Sequence, residues 1–153
     1  MTKRLRMIAG PNGSGKSTLT ALLRNDYAVN FYTLLNADNI FAEVSKSLSL
    51  LSPVPVNEVD LLAYAMASEY DENVKAHFCE KRIFIEGDIV RFVSHDAVNS
   101  YTIALVTNFL QYSCVKEGVS FSQETVFSHP SKVEALKEAH DVGYRTYLYF
   151  VAN

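Results

Sequence analysis

Tryptophan is absent from this chain of 153 residues, and cysteine and proline are scarce, with two and four copies. Cys79 and Cys114 form no C-x-x-C and no paired Cys/His spacing, which excludes a disulfide framework and a zinc site, and both read as small core residues in a reducing compartment. Charge is also in short supply. Charged residues make up 20% and the net charge is −3, so no basic surplus exists to make nucleic acid or an anionic membrane the main partner. No apolar run approaches the ~18 residues that a bilayer span needs. The basic start, Met1-Thr2-Lys3-Arg4-Leu5-Arg6, lacks the apolar stretch of a signal peptide. The chain is expected to be soluble and cytoplasmic. Repeats and low-complexity segments are missing too, and with 48% apolar residues the composition predicts a single domain, residues 1–153, with a real core.

Against these absences one stretch stands out. Gly10-Pro11-Asn12-Gly13-Ser14-Gly15-Lys16-Ser17-Thr18, preceded by Ala9, fits the phosphate-loop pattern G-x-x-x-x-G-K-[S/T] without a mismatch. Leu5, Met7, Ile8 and Ala9 before it read as a short buried strand. Leu19, Leu22 and Leu23 after it fall at i, i+3 and i+4, as one face of a helix. Strand, loop and helix thus come in the order the motif requires. Glycines leave no Cβ in the way of backbone N–H groups that turn onto phosphate oxygens. The helix beginning near Gly15 adds unpaired donors and the positive end of its dipole. Lys16 is expected to reach the β- and γ-phosphates of a bound nucleotide, ATP or GTP, and Ser17 to ligate Mg²⁺. A glycine turn without a ligand is the alternative, and the full pattern with both flanking elements argues against it.

Further along, the first helix is expected to end within residues 24–26, and residues 32–35 to form a second strand. That strand delivers Asn36-Ala37-Asp38-Asn39 at its carboxyl end, the edge where open parallel sheets bind ligands. Asp38 there either holds Mg²⁺ through water or takes a proton from an attacking hydroxyl. Equally, Asp38 or Asn39 caps a helix beginning near Ile40. Residues 40–50 read as that helix, broken by Ser52-Pro53-Val54-Pro55. Asn57 then caps a single long helix with a stripe of Val59, Leu62, Ala63, Met66, Tyr70, Val74 and Phe78. Residues 83–86 and 89–93 flank Gly87-Asp88 as a β-hairpin inserted in the α/β core. A helix over 100–116 with Ile103, Val106, Leu110 and Cys114 on one face is closed by Gly118. A strand over 119–124 ends in Glu124-Thr125. Ser131 and Glu134 make a capping box for a helix carrying Val133, Leu136 and His140, stopped by Gly143. Residues 144–151 form a last apolar strand. The alternation predicts an α/β fold, the three-layer phosphate-loop architecture with a mostly parallel sheet, carrying a helix and hairpin insertion at about residues 56–99.

Taken together, the phosphate loop, then Asn36-Ala37-Asp38-Asn39-Ile40, then Ser120-Phe121-Ser122-Gln123-Glu124-Thr125-Val126-Phe127-Ser128-His129-Pro130-Ser131-Lys132, then Gly143-Tyr144-Arg145 resemble the zeta toxin family of phosphate-loop kinases, in the branch labelled predicted ABC-type ATPases. The resemblance covers four motifs in order along about two-thirds of the chain and leaves residues 56–99 out. It implies a kinase that moves the γ-phosphoryl of ATP to an acceptor hydroxyl. In zeta toxins of known activity the acceptor is a UDP-activated amino sugar, and an antitoxin protein blocks the nucleotide site. By motif match Lys16 holds the phosphates, Ser17 the metal, Asp38 contacts the acceptor hydroxyl as base, and Glu124 with Thr125 takes the position of the substrate-side acid and its neighbour. Glu86, at the end of another apolar strand, is the rival to Glu124.

The family continues past the last strand into a lid whose arginines stabilise charge on the transferring phosphoryl. The 153 residues stop short of it, and one such arginine is worth ~10³–10⁵ in rate. Arg82, Arg91 and Arg145 are the arginines left to stand in for it. The expectation is a chain that binds nucleotide and transfers phosphate weakly, as a truncated product, a fragment or a domain completed by another chain. Its terminal strand, as a sheet edge, favours pairing with a second copy or a partner. Two other classes stay open. One is an ABC-type ATPase, against which stand the missing Leu-Ser-Gly-Gly-Gln signature and the short chain. The other is a nucleotide-binding or antitoxin-binding module without catalysis. His129, in a polar turn near Glu124, is read as a substrate contact or a solvated loop histidine, His95-Asp96 as a weak pair, and His77 and His140 as helix-surface or boundary residues.

Overall fold

Arg4-Leu5-Arg6-Met7-Ile8-Ala9 alternates polar and apolar at its start and is apolar throughout its end, as a strand does when one face dries out along its length. It forms β1 (Arg4–Ala9), in which Leu5, Met7, Ile8 and Ala9 are fully buried. The structure, a computed structural model, describes residues 1–126 and 131–152, and of Ser131 the backbone alone. After β1 come α1 (Lys16–Asp26), β2 (Thr33–Asn36), α2 (Ala37–Ser47), β3 (Ser49–Leu51), α3 (Glu58–Ala67) and α4 (Glu72–Cys79). These are followed by β4 (Ile83–Glu86), β5 (Ile89–Phe92), a 3₁₀ turn (His95–Ala97), α5 (Ser100–Glu117), β6 (Phe121–Thr125), α6 (Ser131–Asp141) and β7 (Arg145–Phe150). The mixed α/β class and the mostly parallel sheet expected from the sequence are both present. Among the described residues no helix is long and apolar enough to cross a membrane.

The chain divides into two compact units, residues 1–36 with 118–153, and residues 37–117. In the first, four strands run in the order β2-β6-β1-β7, every neighbouring pair parallel. Parallel neighbours need crossovers, and right-handed ones leading in opposite directions, β1 to β2 and β6 to β7, put α1 and α6 on opposite faces. The change of direction falls between β1 and β6, the position at whose carboxyl end open α/β sheets bind ligands. On the α6 side Tyr144 packs edge-on against Phe121, with ring centroids 6.1 Å apart, and Ala139 is fully buried. Val133 is exposed there, so the expected apolar face of α6 is displaced. Leu22 of α1 is exposed likewise, and the buried positions of that helix are Lys16 and Thr20. The capping box at Ser131 and the contact assigned to His129 lie outside the described residues.

The second unit holds an antiparallel sheet in the order β3-β5-β4. The hairpin at Gly87-Asp88 forms as expected, Gly87 supplying φ 64°. Its sheet partner β3 was read from the sequence as the end of a helix; α2 instead stops at Ser47, whose hydroxyl bonds both Glu43 O and Ser49 O. Moreover, α2 starts at Ala37, so Asp38 sits inside its first turn rather than capping a later start, where its charge suits the helix dipole. The single long helix is two helices. The Ser68 hydroxyl donates to Ala65 O at 2.7 Å to close α3, and Asp71 accepts from Val74 N at 3.0 Å to open α4. Leu61 and Ala65 are the buried pair of α3, and Val59 is 77% exposed. In α5 burial extends well beyond the expected stripe, to Thr102, Thr107, Gln111 and Ser113. The Thr107 and Ser113 hydroxyls answer this by bonding the carbonyls of Ile103 and Phe109, four residues back, at 2.7 and 2.8 Å.

Of the two thiols only one is a core group. Cys114 is fully buried, and desolvation raises its pKa to about 12. Cys79 is exposed, which corrects its reading as a core residue: Val74 and Phe78 are the buried residues of the helix that carries it, and Cys79, at its last position, lies off that face. Iodoacetamide at mildly alkaline pH is expected to modify Cys79 and spare Cys114 until denaturant is added. Peptide mass mapping checks this, and equal labelling of the native chain would contradict the burial.

Candidate functional site

Residues 10–15 leave the carboxyl end of β1 and enter α1 without a side-chain cap. Gly15 takes the N-cap position with φ 95° and ψ 23°, a left-handed conformation that glycine adopts without a Cβ penalty. Ser14 N bonds Pro11 O at 3.1 Å, tightening the turn. The root of the loop is gripped from both neighbouring strands. Gly10 N donates to Thr125 O at 3.2 Å and Val151 N donates to Ala9 O at 2.8 Å. A Cβ at Gly10 would stand 2.3 Å from Val151 O and 2.9 Å from Ser14 Oγ, so only glycine fits. The Ser14 Oγ is buried and lacks a hydrogen-bond partner.

Lys16 is 8% exposed, and its ammonium donates to Gly10 O at 2.6 Å and Pro11 O at 3.0 Å. The cation is thus folded onto the carbonyls of its own loop. Beside it, Ser17 Oγ donates to Glu124 Oε1 at 3.4 Å, a side-chain bond between the start of α1 and the end of β6. The register explains the meeting: β6 pairs Glu124 with Ile8 on one side and with Asn36 on the other, in a row along the carboxyl edge. Lys16, Ser17, Glu124 and Thr125 therefore come together in the first unit. Asp38 stands two residues past the end of β2, in the second unit.

Two side chains escaped the sequence reading. Gln123 is 2% exposed in β6, one of the two inner strands of its sheet, and its Oε1 has no hydrogen-bond partner among the described residues. Its signal was an amide inside a strand otherwise flanked by Phe121 and Ser122, both buried. Lys132, in the first turn of α6, has its pKa lowered by burial. Several other candidates are engaged within the second unit. Glu86 pairs with Arg91 at 3.4 Å, Arg82 with Glu80 at 2.8 Å, and Arg82 Nε donates to His77 Nδ1 at 3.1 Å. Burial first and the Arg82 charge second hold the His77 pKa below its usual value. His95 Nε2 meets Ser45 O at 2.9 Å, so the His95-Asp96 pair serves a backbone contact.

A metal-binding cluster of three or more His, Cys, Asp or Glu is absent among the described residues. The oxygens of Ser17 and Glu124 nonetheless fit a hard cation that takes its remaining ligands from phosphate and water. The orphaned Ser14 hydroxyl and the uncapped start of α1 fit an anion beside it.

Neither a family model nor a curated protein matches the chain. The fold does have a counterpart among solved structures. A "putative kinase" from Chloroflexus aurantiacus superposes with a TM-score of 0.50 at 12% sequence identity, over 98% of this chain and 59% of the other. At that identity the likeness shows a kinase-like fold, and the chain spans about three-fifths of the length of that protein.

Gly10→Ala is expected to destabilise the first unit, because the added methyl meets the Val151 carbonyl, whereas Gly10 has no polar side chain to lose. Overpacking of this kind costs ~1–3 kcal/mol. Urea unfolding checks it, and an unchanged midpoint would mean that β7 does not grip the loop.

Proposed function

We propose that the chain is an ATP- and Mg²⁺-dependent phosphotransferase of the zeta toxin type, which moves the γ-phosphoryl group to a hydroxyl of a small molecule. The observation that carries this reading is the approach of Ser17 Oγ to Glu124 Oε1 at 3.4 Å beside the glycine loop. A nucleotide triphosphate seated on that loop gives Lys16 acceptors of higher charge than the carbonyls of Gly10 and Pro11, and the ammonium transfers to the β- and γ-phosphates. Ser17 and Glu124 supply two oxygen ligands for Mg²⁺, which when bound neutralises phosphate charge. Glu124, which the resemblance gives to the acceptor side, is thereby drawn to the metal side. Asp38 is the base that accepts the acceptor's hydroxyl proton, in line with its position after β2 and its match to the family motif. An amino sugar activated with UDP is the acceptor that the resemblance favours, and GTP is the alternative donor.

Phosphoryl transfer from γ-labelled ATP, with water alone and with a panel of UDP-sugars, tests the reading. Transfer to one sugar is expected. Asp38→Ala should slow it by on the order of 100-fold or more while nucleotide binding persists. Glu124→Gln should raise the Mg²⁺ concentration needed, and Lys16→Ala should remove nucleotide binding as well. Nucleotide binding without transfer to any sugar would reduce the function to a binding module, and no binding would overturn the reading altogether.

A further inference from the structure

Independently of the phosphate loop, the first unit carries unusual chemistry on the sheet face that it shares with α1. The parallel register sets Arg4 beside Arg145, Arg6 beside Tyr147 and Ile8 beside Tyr149. Alternate positions thus present guanidinium and phenol groups where a core face presents aliphatic ones. Arg4 Nε donates to the Tyr147 hydroxyl at 3.3 Å, and Arg6 Nη1 to the Tyr149 hydroxyl at 2.9 Å. The Arg6 guanidinium also lies over the Tyr147 ring, 4.2 Å from its centroid, while its Nε donates to Asn30 O at 3.1 Å. That last bond ties down the loop carrying Phe31, which sits 5.5 Å beneath the Arg24 guanidinium and 6.4 Å from the Tyr149 ring.

Among the described residues no carboxylate is seen in an ion pair with these arginines. The ion pairs Lys81–Glu58, Arg82–Glu80, Arg91–Glu86 and Lys116–Asp60 lie in the second unit, and none of them includes Arg4, Arg6, Arg24 or Arg145. A phenol accepts a hydrogen bond from a guanidinium without neutralising it. Arg4 also bonds the Tyr32 side chain, and since each guanidinium has five N–H donors, donors are left over on both Arg4 and Arg6. The result is a positive strip, half-buried at Arg4 and Arg6 and exposed at Arg145, on a chain whose net charge is −3.

We infer that this face docks an acidic polypeptide segment in extended conformation, with alternate carboxylates on Arg4 and Arg6. The two arginines are alternate residues of one strand, roughly 7 Å apart along it, which is also the repeat of alternate side chains in an extended peptide. A carboxylate matches the fork of a guanidinium, and a guanidinium stacked on a ring is held in place for it. Single-stranded nucleic acid fits less well. Its bases need open aromatic faces, whereas Arg6 covers Tyr147 and Phe31 is 1% exposed.

Fluorescence anisotropy on the full chain tests the docking, with a labelled peptide of alternating glutamate and serine at low ionic strength. The same peptide with glutamine for glutamate and a labelled oligothymidylate are the comparison arms. Saturable binding of the glutamate peptide is expected, weakening with salt, with the glutamine peptide unbound. The Arg4→Gln/Arg6→Gln double variant should weaken binding on the order of tenfold or more. Arg82→Gln in the second unit should leave it unchanged. Should the double variant fail to fold, as circular dichroism would reveal, Arg4→Lys/Arg6→Lys decides, since it keeps the charge and removes the fork. Weakened binding supports the docking. Undiminished binding in a folded variant, absence of binding to the wild-type chain, or preference for oligothymidylate would each overturn it.

Discussion

The parallel pairing of β1 with a neighbour on each side governs what the rest of the first unit can do. Ala9 and Gly10 hold their places because Thr125 accepts from one and Val151 donates to the other. A loop rich in glycine has the largest conformational entropy to lose on ordering. Fixing its root through two strands removes part of that loss before any ligand arrives. The same pairing decides which side chains reach the edge: Ile8, Glu124 and Asn36 form one row because their strands are in register. A slip of one residue would turn Glu124 to the opposite face.

In the second unit a different device protects a small sheet. Strand β4 lies at its margin, and the Glu58 carboxylate accepts from Ile85 N at 3.2 Å while pairing with Lys81 at 2.8 Å. A charged group thereby occupies a backbone donor that would otherwise invite another strand. The aromatic cluster of Tyr64, Phe109 and Tyr112, with ring centroids 5.6 and 5.4 Å from Tyr64, joins α3 to α5. Geometry of this kind adds to the area that the rings bury.

Much of this was readable from residues alone, where a local cause dominates. The strand–loop–helix passage through residues 10–15, the hairpin at Gly87-Asp88 and the start of α3 at Asn57 each rest on a glycine or a cap whose effect stays within a few residues. The failures share a cause as well. Ser68 and Asp71 split a helix whose apolar stripe ran on without a break, because a capping hydroxyl and carboxylate outweigh periodicity over so short a span. Strand β3 was hidden since three residues carry too little pattern to tell a strand from a helix end. In α5 the buried hydroxyls look polar in sequence but satisfy themselves on their own helix, so burial spread beyond the aliphatic face. The meeting of Ser17 and Glu124 spans 107 positions of sequence and depends on strand order, which no local pattern encodes.

The placement of Lys16 has a bearing on selectivity. Its ammonium is already solvated by two carbonyl dipoles in a nearly dry position, so an entering anion is rewarded only by the excess of its field over theirs. Ligands of low charge density gain little from the exchange, and those with several negative oxygens close together gain much. For any anion that binds there, discrimination by charge density would be strongest at low ionic strength, where the field of a polyanion is least screened.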